Sequence, residues 1–323
     1  MKRKVIIDCD PGIDDSLALI YAIQHPDLEV VALTIVAGNV PVDLGVENAF
    51  KILEKLNRLD IPVYAGADKP LVRDFVSAQD THGMDGLGES GINRTSNCQP
   101  QPQKASEFLA TYFQKAQDTS LITLGPLTNL AMAIKQNPQI GKHIKRFVSM
   151  GGSYKSHGNC SPVAEYNYWC DPHAAQFVYQ KLGRKIEMVG LDVTRAIVLT
   201  PNLLEYMRFL QPEVAEFVGR ITRFYWDFHW EYEHIIGCVI NDPLAIAHFL
   251  YEDLCAGFDS YVEVVTEGIA LGQTVVDAYD FYHKPANAYI ATQVSPSLFF
   301  QNFLAILLNQ PKETIAQDLS SFL

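Results

Sequence analysis

Along the first two-thirds of the chain, apolar and polar positions alternate between two periods. Val5-Ile6-Ile7 is a short, wholly apolar run that ends in Asp8-Cys9-Asp10, the pattern of a buried parallel strand. Asp14 to Gln24 reads as a helix, with acidic residues in its first turn and Leu17, Ile20 and Tyr21 at helical spacing. Glu29 to Ala37 is predicted as a second strand, stopped by Gly38-Asn39, and is followed by a helix over Val46 to Leu56 and a short strand over Ile61 to Tyr64. Lys104 to Ala116, Leu121 to Leu124 and Leu127 to Lys135 repeat the alternation. Strands over Phe147 to Met150 and Ile186 to Leu191 flank a helix over Asp171 to Leu182. Such alternation predicts βαβ units and an α/β fold, a mostly parallel sheet with helices on both faces. Pro201 to Glu233 reads as one or two helices, Ser260 to Val294 as a smaller additional sheet, and Phe299 to Leu308 as a closing helix. Asp68 to Pro102 breaks the rhythm, and a loop that long in a compact domain is usually functional or disordered. No stretch has linker composition and no repeat is visible, so residues 1–323 read as a single domain.

Composition narrows the class. Of 323 residues, 48% are hydrophobic and 19% charged, which excludes intrinsic disorder. A net charge of −12 argues against nucleic acid or an anionic membrane as the main partner. The six cysteines form no C-x-x-C pair and read as free thiols in a reducing compartment. With no secretory apolar segment at the N-terminus and no run near the roughly 20 residues that span a bilayer, the expectation is a soluble cytoplasmic protein.

The densest chemistry is Asp8-Cys9-Asp10-Pro11-Gly12-Ile13-Asp14-Asp15, four carboxylates within eight residues at the mouth of the first strand. Carboxylates so close repel one another unless they are protonated or bridged by a cation. A hard ion with oxygen ligands, Ca²⁺ or Mg²⁺, would collect Asp10 and Asp15. The plainer alternative is that Asp14 or Asp15 caps the helix. A strand-end Asp-x-Asp also suits an aspartyl-phosphate enzyme, although the residues after Asp10 would repel a phosphate.

The motif resembles the D-x-D-P-G-x-D-D signature of the nucleoside hydrolase family. Gly38-Asn39, His82-Gly83, Gly125 to Asn129, Met150 to Gly152, Val163 to Asn167, Asp171-Pro172 and Asp242-Pro243 follow in the family's order. The resemblance spans essentially the whole chain. It implies an open Rossmann-like sheet, a tightly bound Ca²⁺, and hydrolysis of the N-glycosidic bond of ribonucleosides by a Ca²⁺-bound water through an oxocarbenium-like transition state. Such a reaction belongs to purine or pyrimidine salvage. By position it assigns Ca²⁺ to Asp10, Asp15, Asp242 and the main-chain carbonyl of Leu124, where many members carry threonine. Asp10, touching metal and water, becomes the general base. Asp14, Asn39, Asn159, Glu165, Asn167 and Asp242 become ribose contacts, and Met150 lines the sugar pocket.

The leaving-group end departs from the family. Many members have His-Asp-Pro where this chain has Asn241-Asp242-Pro243, and Asn241 can only hydrogen-bond. His82, which resembles the histidine of the pyrimidine-cleaving branch, becomes the expected acid. His229, Tyr232 and His234 lie on a helix expected to overhang the base. Alternatively, Asp242 is only a helix N-cap before Pro243, His82 a solvated loop residue, and the aromatic stripe core. The expected partner is a small ribonucleoside and the expected assembly a homodimer or homotetramer, with the base open between pyrimidine and broad preference. Two rivals stand beside this reading: a nucleoside-binding protein that lost turnover with the histidine at 241, and an Asp10-based phosphatase.

Overall fold

The computed structural model describes residues 2–321. Its strands are β1 (Arg3–Cys9), β2 (Leu28–Ile35), β3 (Val63–Ala65), β4 (Thr119–Thr123), β5 (Phe147–Met150), β6 (Ile186–Val189), β7 (Val198–Leu199), β8 (Cys238–Val239), β9 (Cys255–Ser260), β10 (Val262–Val264), β11 (Thr274–Val276) and β12 (Ala288–Val294). Eight of them form one sheet in the order β3-β2-β1-β4-β5-β6-β12-β9, parallel except for β9 at the edge. Along β1 the pleat sends Val5, Ile7 and Cys9 into one apolar layer and Ile6 into the other, all fully buried. Helices Ile13–Gln24, Val42–Lys55 and Asp242–Leu250 pack in the first layer, and Ala105–Tyr112, Thr128–Gln136 and Pro172–Lys181 in the second. This α/β architecture is the expected one.

Strand order reverses direction between β1 and β4. Helices leaving adjacent strands in opposite senses open a crevice at their carboxyl ends, where open α/β sheets bind ligands. Asp10 follows β1 directly and Leu124 follows β4 directly.

The C-terminal third differs from expectation. β10 and β11 do form a small antiparallel sheet, but β12 joins the main sheet parallel to β6, and β9 pairs antiparallel on its outer edge. Pro201 to Glu233 divides at Gln211 into helices Pro201–Leu210 and Pro212–Glu233, each with proline in its first turn. The closing helix begins at Pro296, behind a Ser295 side chain that accepts the Leu298 N–H. A second C-terminal helix, Lys312–Leu319, follows and buries Ile315 and Leu319. Asp242 is the first residue of its helix rather than the cap, and Asn241 stands at the cap without a side-chain cap bond.

Candidate active site

The acidic end is built by the turn after β1. The Asp15 carboxylate accepts the Asp10 N–H at 3.2 Å and the Gly12 N–H at 3.0 Å, pinning the turn to the first helical residues. Asn39 Nδ2 donates to the same carboxylate at 2.8 Å, and the Asn39 N–H donates to Asp10 Oδ2 at 2.7 Å. Asp10 is clamped by two glycines: a Cβ on Gly38 would lie 2.0 Å from its Oδ2, and one on Gly125 2.3 Å from its Oδ1. That Oδ1 is buried with no hydrogen-bond partner.

Asp242 comes in from a distant helix. Asp14, Asp15 and Asp242 each place an oxygen within 4.8 Å of the others, and all three are buried. Burial, then Asp14, pushes Asp15 up to about 7. Burial pushes Asp10 and Asp242 up as well, reinforced by the neighbouring carboxylates. Such an oxygen-only cluster, with one lone pair left over, can hold a divalent cation. The tightest triad contains Asp14, which the sequence pointed to the sugar; Asp10 adjoins it through Asp15. The Leu124 carbonyl lies on the same cavity and accepts Asn167 Nδ2 at 2.6 Å.

The flank beside this cluster is polar. Glu165 caps helix Tyr166–Cys170, accepting the N–H groups of Asn167 at 2.8 Å and Tyr168 at 3.3 Å as well as that of Gly152 at 2.8 Å. Burial raises it to about 7 against those three donors. Asn167 also reaches the Met150 carbonyl, and Asn159 Oδ1 accepts the Tyr166 N–H at 2.9 Å. Asn39, Met150, Asn159, Glu165 and Asn167 all face one cavity of about 580 Å³ with Asp14 and Asp242.

Across the cavity stands an aromatic wall. Tyr225, Phe228, His229 and Tyr232 share one face of helix Pro212–Glu233 at helical spacing. His82 ends the one-turn helix Gln79–His82 and is buried, not solvated: its Nδ1 accepts the Ile13 N–H at 3.1 Å, and its ring centre lies 5.2 Å from that of Tyr225. Burial lowers its pKa. Asn241 donates to Asp14 and lies 3.4 Å from the Tyr225 hydroxyl. His234 is not brought in. It terminates the helix in a left-handed conformation (φ 56°), exposed, with Nδ1 on the Trp230 carbonyl. Sequence reasoning missed Tyr225 and Arg195 as lining residues. The helical spacing of Tyr225 with His229 and Tyr232 was a usable signal; nothing local marks Arg195.

An open parallel sheet with buried carboxylates at its switch point, facing imidazole and aromatic rings across a cavity, defines an α/β protein with a ligand crevice whose acids could hold a cation. The chain belongs to the inosine-uridine preferring nucleoside hydrolase family, whose model matches residues 5–301. It is accordingly an N-ribosyl hydrolase. It is 40% identical over 296 residues to the pyrimidine-specific ribonucleoside hydrolase RihA of Shewanella oneidensis, covering 90% of this chain and 91% of that protein. The protein of the same name from Salmonella typhimurium is 36% identical over 297 residues, covering 91% and 94%. Among solved structures, the purine-preferring ribonucleoside hydrolase from Gardnerella vaginalis superposes with a TM-score of 0.89 at 30% identity, covering 98% of this chain and 99% of that one.

Proposed function

We propose that this chain cleaves pyrimidine ribonucleosides to free base and ribose, with Ca²⁺ at the acidic cluster. The observation that carries the reading is the opposition of the Asp14 and Asp242 carboxylates, with Asp15 and Asp10 buried behind them, to the His82 and Tyr225 wall across one cavity. The relatives named pyrimidine-specific support the choice of base.

The residues fit a hard cation: the donors are all oxygen, their charges are buried together, and Asp10 Oδ1 is left without a partner. Asp10, Asp15 and Asp242 with the Leu124 carbonyl would hold it. When bound, such an ion supplies positive charge that acidifies a nearby water and attracts the ribose 2′- and 3′-hydroxyls. Asp10 takes the proton of the attacking water, because its Oδ1 has no other hydrogen-bond partner. Asp14, Asn39 and Asn167 read sugar hydroxyls, while Glu165 and Asn159 brace the loop around the sugar and contact its far end. Cleavage of the C1′–N bond leaves positive charge on the sugar, and the surrounding carboxylates stabilise it. Asn241 has no proton to give and serves by orienting Asp14. His82 presents Nε2–H to a base carbonyl, and Tyr232 covers the base; His234 has no part.

We place the protein in the cytoplasm, where its free thiols would stay reduced. No helix among the described residues is long and apolar enough to cross a membrane. The direct test is reducing-sugar release from uridine, cytidine, inosine and guanosine. Uridine and cytidine should give the highest kcat/KM; faster cleavage of both purine nucleosides would overturn the base preference.

A further inference from the structure

We infer that His229, and not His82, delivers the proton to the departing base; the assignment rests on the hydrolase reading above. Of the three histidines that line the cavity, His157 sits on the loop beside Asn159, whereas His82 and His229 both stand against Tyr225, and the backbone gives these two opposite polarity. The Ile13 N–H points at His82 Nδ1 from 3.1 Å, so that nitrogen keeps its lone pair and the neutral ring carries its proton on Nε2. Releasing that proton would leave an imidazolate, and adding one to Nδ1 would break the bond to Ile13. His82 is therefore locked as a hydrogen-bond donor.

His229 is the reverse. Its Nδ1 lies 2.8 Å from the Tyr225 carbonyl, which can only accept, so Nδ1 holds the fixed proton. Nε2 is left to gain and lose a proton on a buried side chain that lines the cavity, and doing so leaves the Tyr225 bond intact. The ionisable groups facing this ring are Asp14 from helix Ile13–Gln24, Glu233 from its own helix, Arg195, and His82. Burial lowers its pKa, against the Tyr225 carbonyl, Glu233 and Asp14; a ring that holds its proton weakly gives it up readily. Asn241, the other polar side chain near Tyr225 in this cavity, can hydrogen-bond but has no acidic proton to give.

In the step, the C1′–N1 bond breaks and its electron pair moves onto the pyrimidine, whose carbonyl oxygen takes the proton from His229 Nε2. A water oxygen bonds to C1′ and passes its proton to Asp10. Solvent then takes one proton from Asp10 and returns one to His229, so the sum is nucleoside plus water to base plus ribose.

The test measures kcat against pH for uridine and for p-nitrophenyl riboside, whose phenolate leaves unprotonated, in the Ca²⁺-supplied wild type, His229→Gln and His82→Gln. His229→Gln should lower kcat on uridine by about 10²-fold or more, and far less on p-nitrophenyl riboside. The wild type should lose uridine activity as pH rises past the His229 pKa, and p-nitrophenyl riboside should show no such limb. His82→Gln should raise KM for uridine and keep the limb. A His229→Gln kcat near wild type, an equal loss on both substrates, or a limb that vanishes in His82→Gln instead would overturn the assignment. Should His229→Gln fail to fold, the wild-type profiles decide alone, and a limb shared by both substrates or absent from both overturns it. Wild type that frees ribose from neither substrate overturns the hydrolase reading itself, whereas a normal wild type with an unaffected His229→Gln overturns only this inference.

Discussion

Asp10 can hold its buried position because two residues beside it have no side chain. Gly38 and Gly125 let the carboxylate sit at the end of β1, and any Cβ at either position would collide with it. Gly125→Ala should therefore cost about 10²-fold or more in kcat/KM, in the range of losses that misplaced catalytic groups produce. It should also reduce the rise in Tm that Ca²⁺ produces; an unchanged Tm shift with full activity would show that the clamp is unimportant. Glu165 gives a pH signature. Its folded pKa is about 7 against an ordinary 4.5, so between those values the native state holds a proton that the unfolded chain has released. Its contribution to stability is full below the ordinary value and is lost as pH rises toward 7. Glu165→Gln should flatten the fall in urea-unfolding stability over that window, and an unaltered slope would contradict the assignment. Asp10 and Asp15 stood out in the sequence because a turn needs one cap, not four acids. The polarity of His82 and His229 was hidden, since it depends on which backbone group each ring meets.

Among the elements, helix Pro212–Glu233 forms the aromatic wall of the cavity, where the proposed function places the base. Its last turn is tied down by Glu233, which pairs with Arg195 Nη1 at 3.0 Å, while Arg195 Nη2 reaches the Gly158 carbonyl beside Asn159. The aromatic wall and the sugar-side loop thus share one clip. Arg195→Met keeps the stem and removes the clip, so KM for uridine should rise several-fold with a smaller change in kcat. A fall in kcat at constant KM would instead place Arg195 in the chemical step. The strands and helices of the first half were legible because parallel strands buried on both faces read as apolar runs between amphipathic helices. β12 was assigned to the smaller sheet, and β9 was not foreseen, because the pairing of Ala288 with Ile186 joins segments far apart in sequence, and no local pattern records such a partner. The division at Gln211 was visible as two prolines, Pro201 and Pro212, each suited to a first turn.

For the molecule as a whole, the sheet's reversal between β1 and β4 gathers the site, with Asp242 carried in by its own helix against helix Ile13–Gln24. Buried acids held together without a counter-charge cost stability, so the fold and the cation should be coupled. Ca²⁺ should raise Tm in a concentration-dependent way, as any ligand that binds only the native state does. Asp10→Ala should abolish both that shift and turnover; a variant that kept both would remove Asp10 from the site. The most direct measurement of the whole proposal is the ratio of kcat/KM for uridine to that for 2′-deoxyuridine. Carboxylates and amides set around the ribose hydroxyls are left unpaired when one hydroxyl is missing, and sites built in this way discriminate by about 10⁴-fold or more. Uridine should therefore be cleaved thousands of times more efficiently, on the order of that factor. Comparable values for the two nucleosides would contradict a site organised around the ribose.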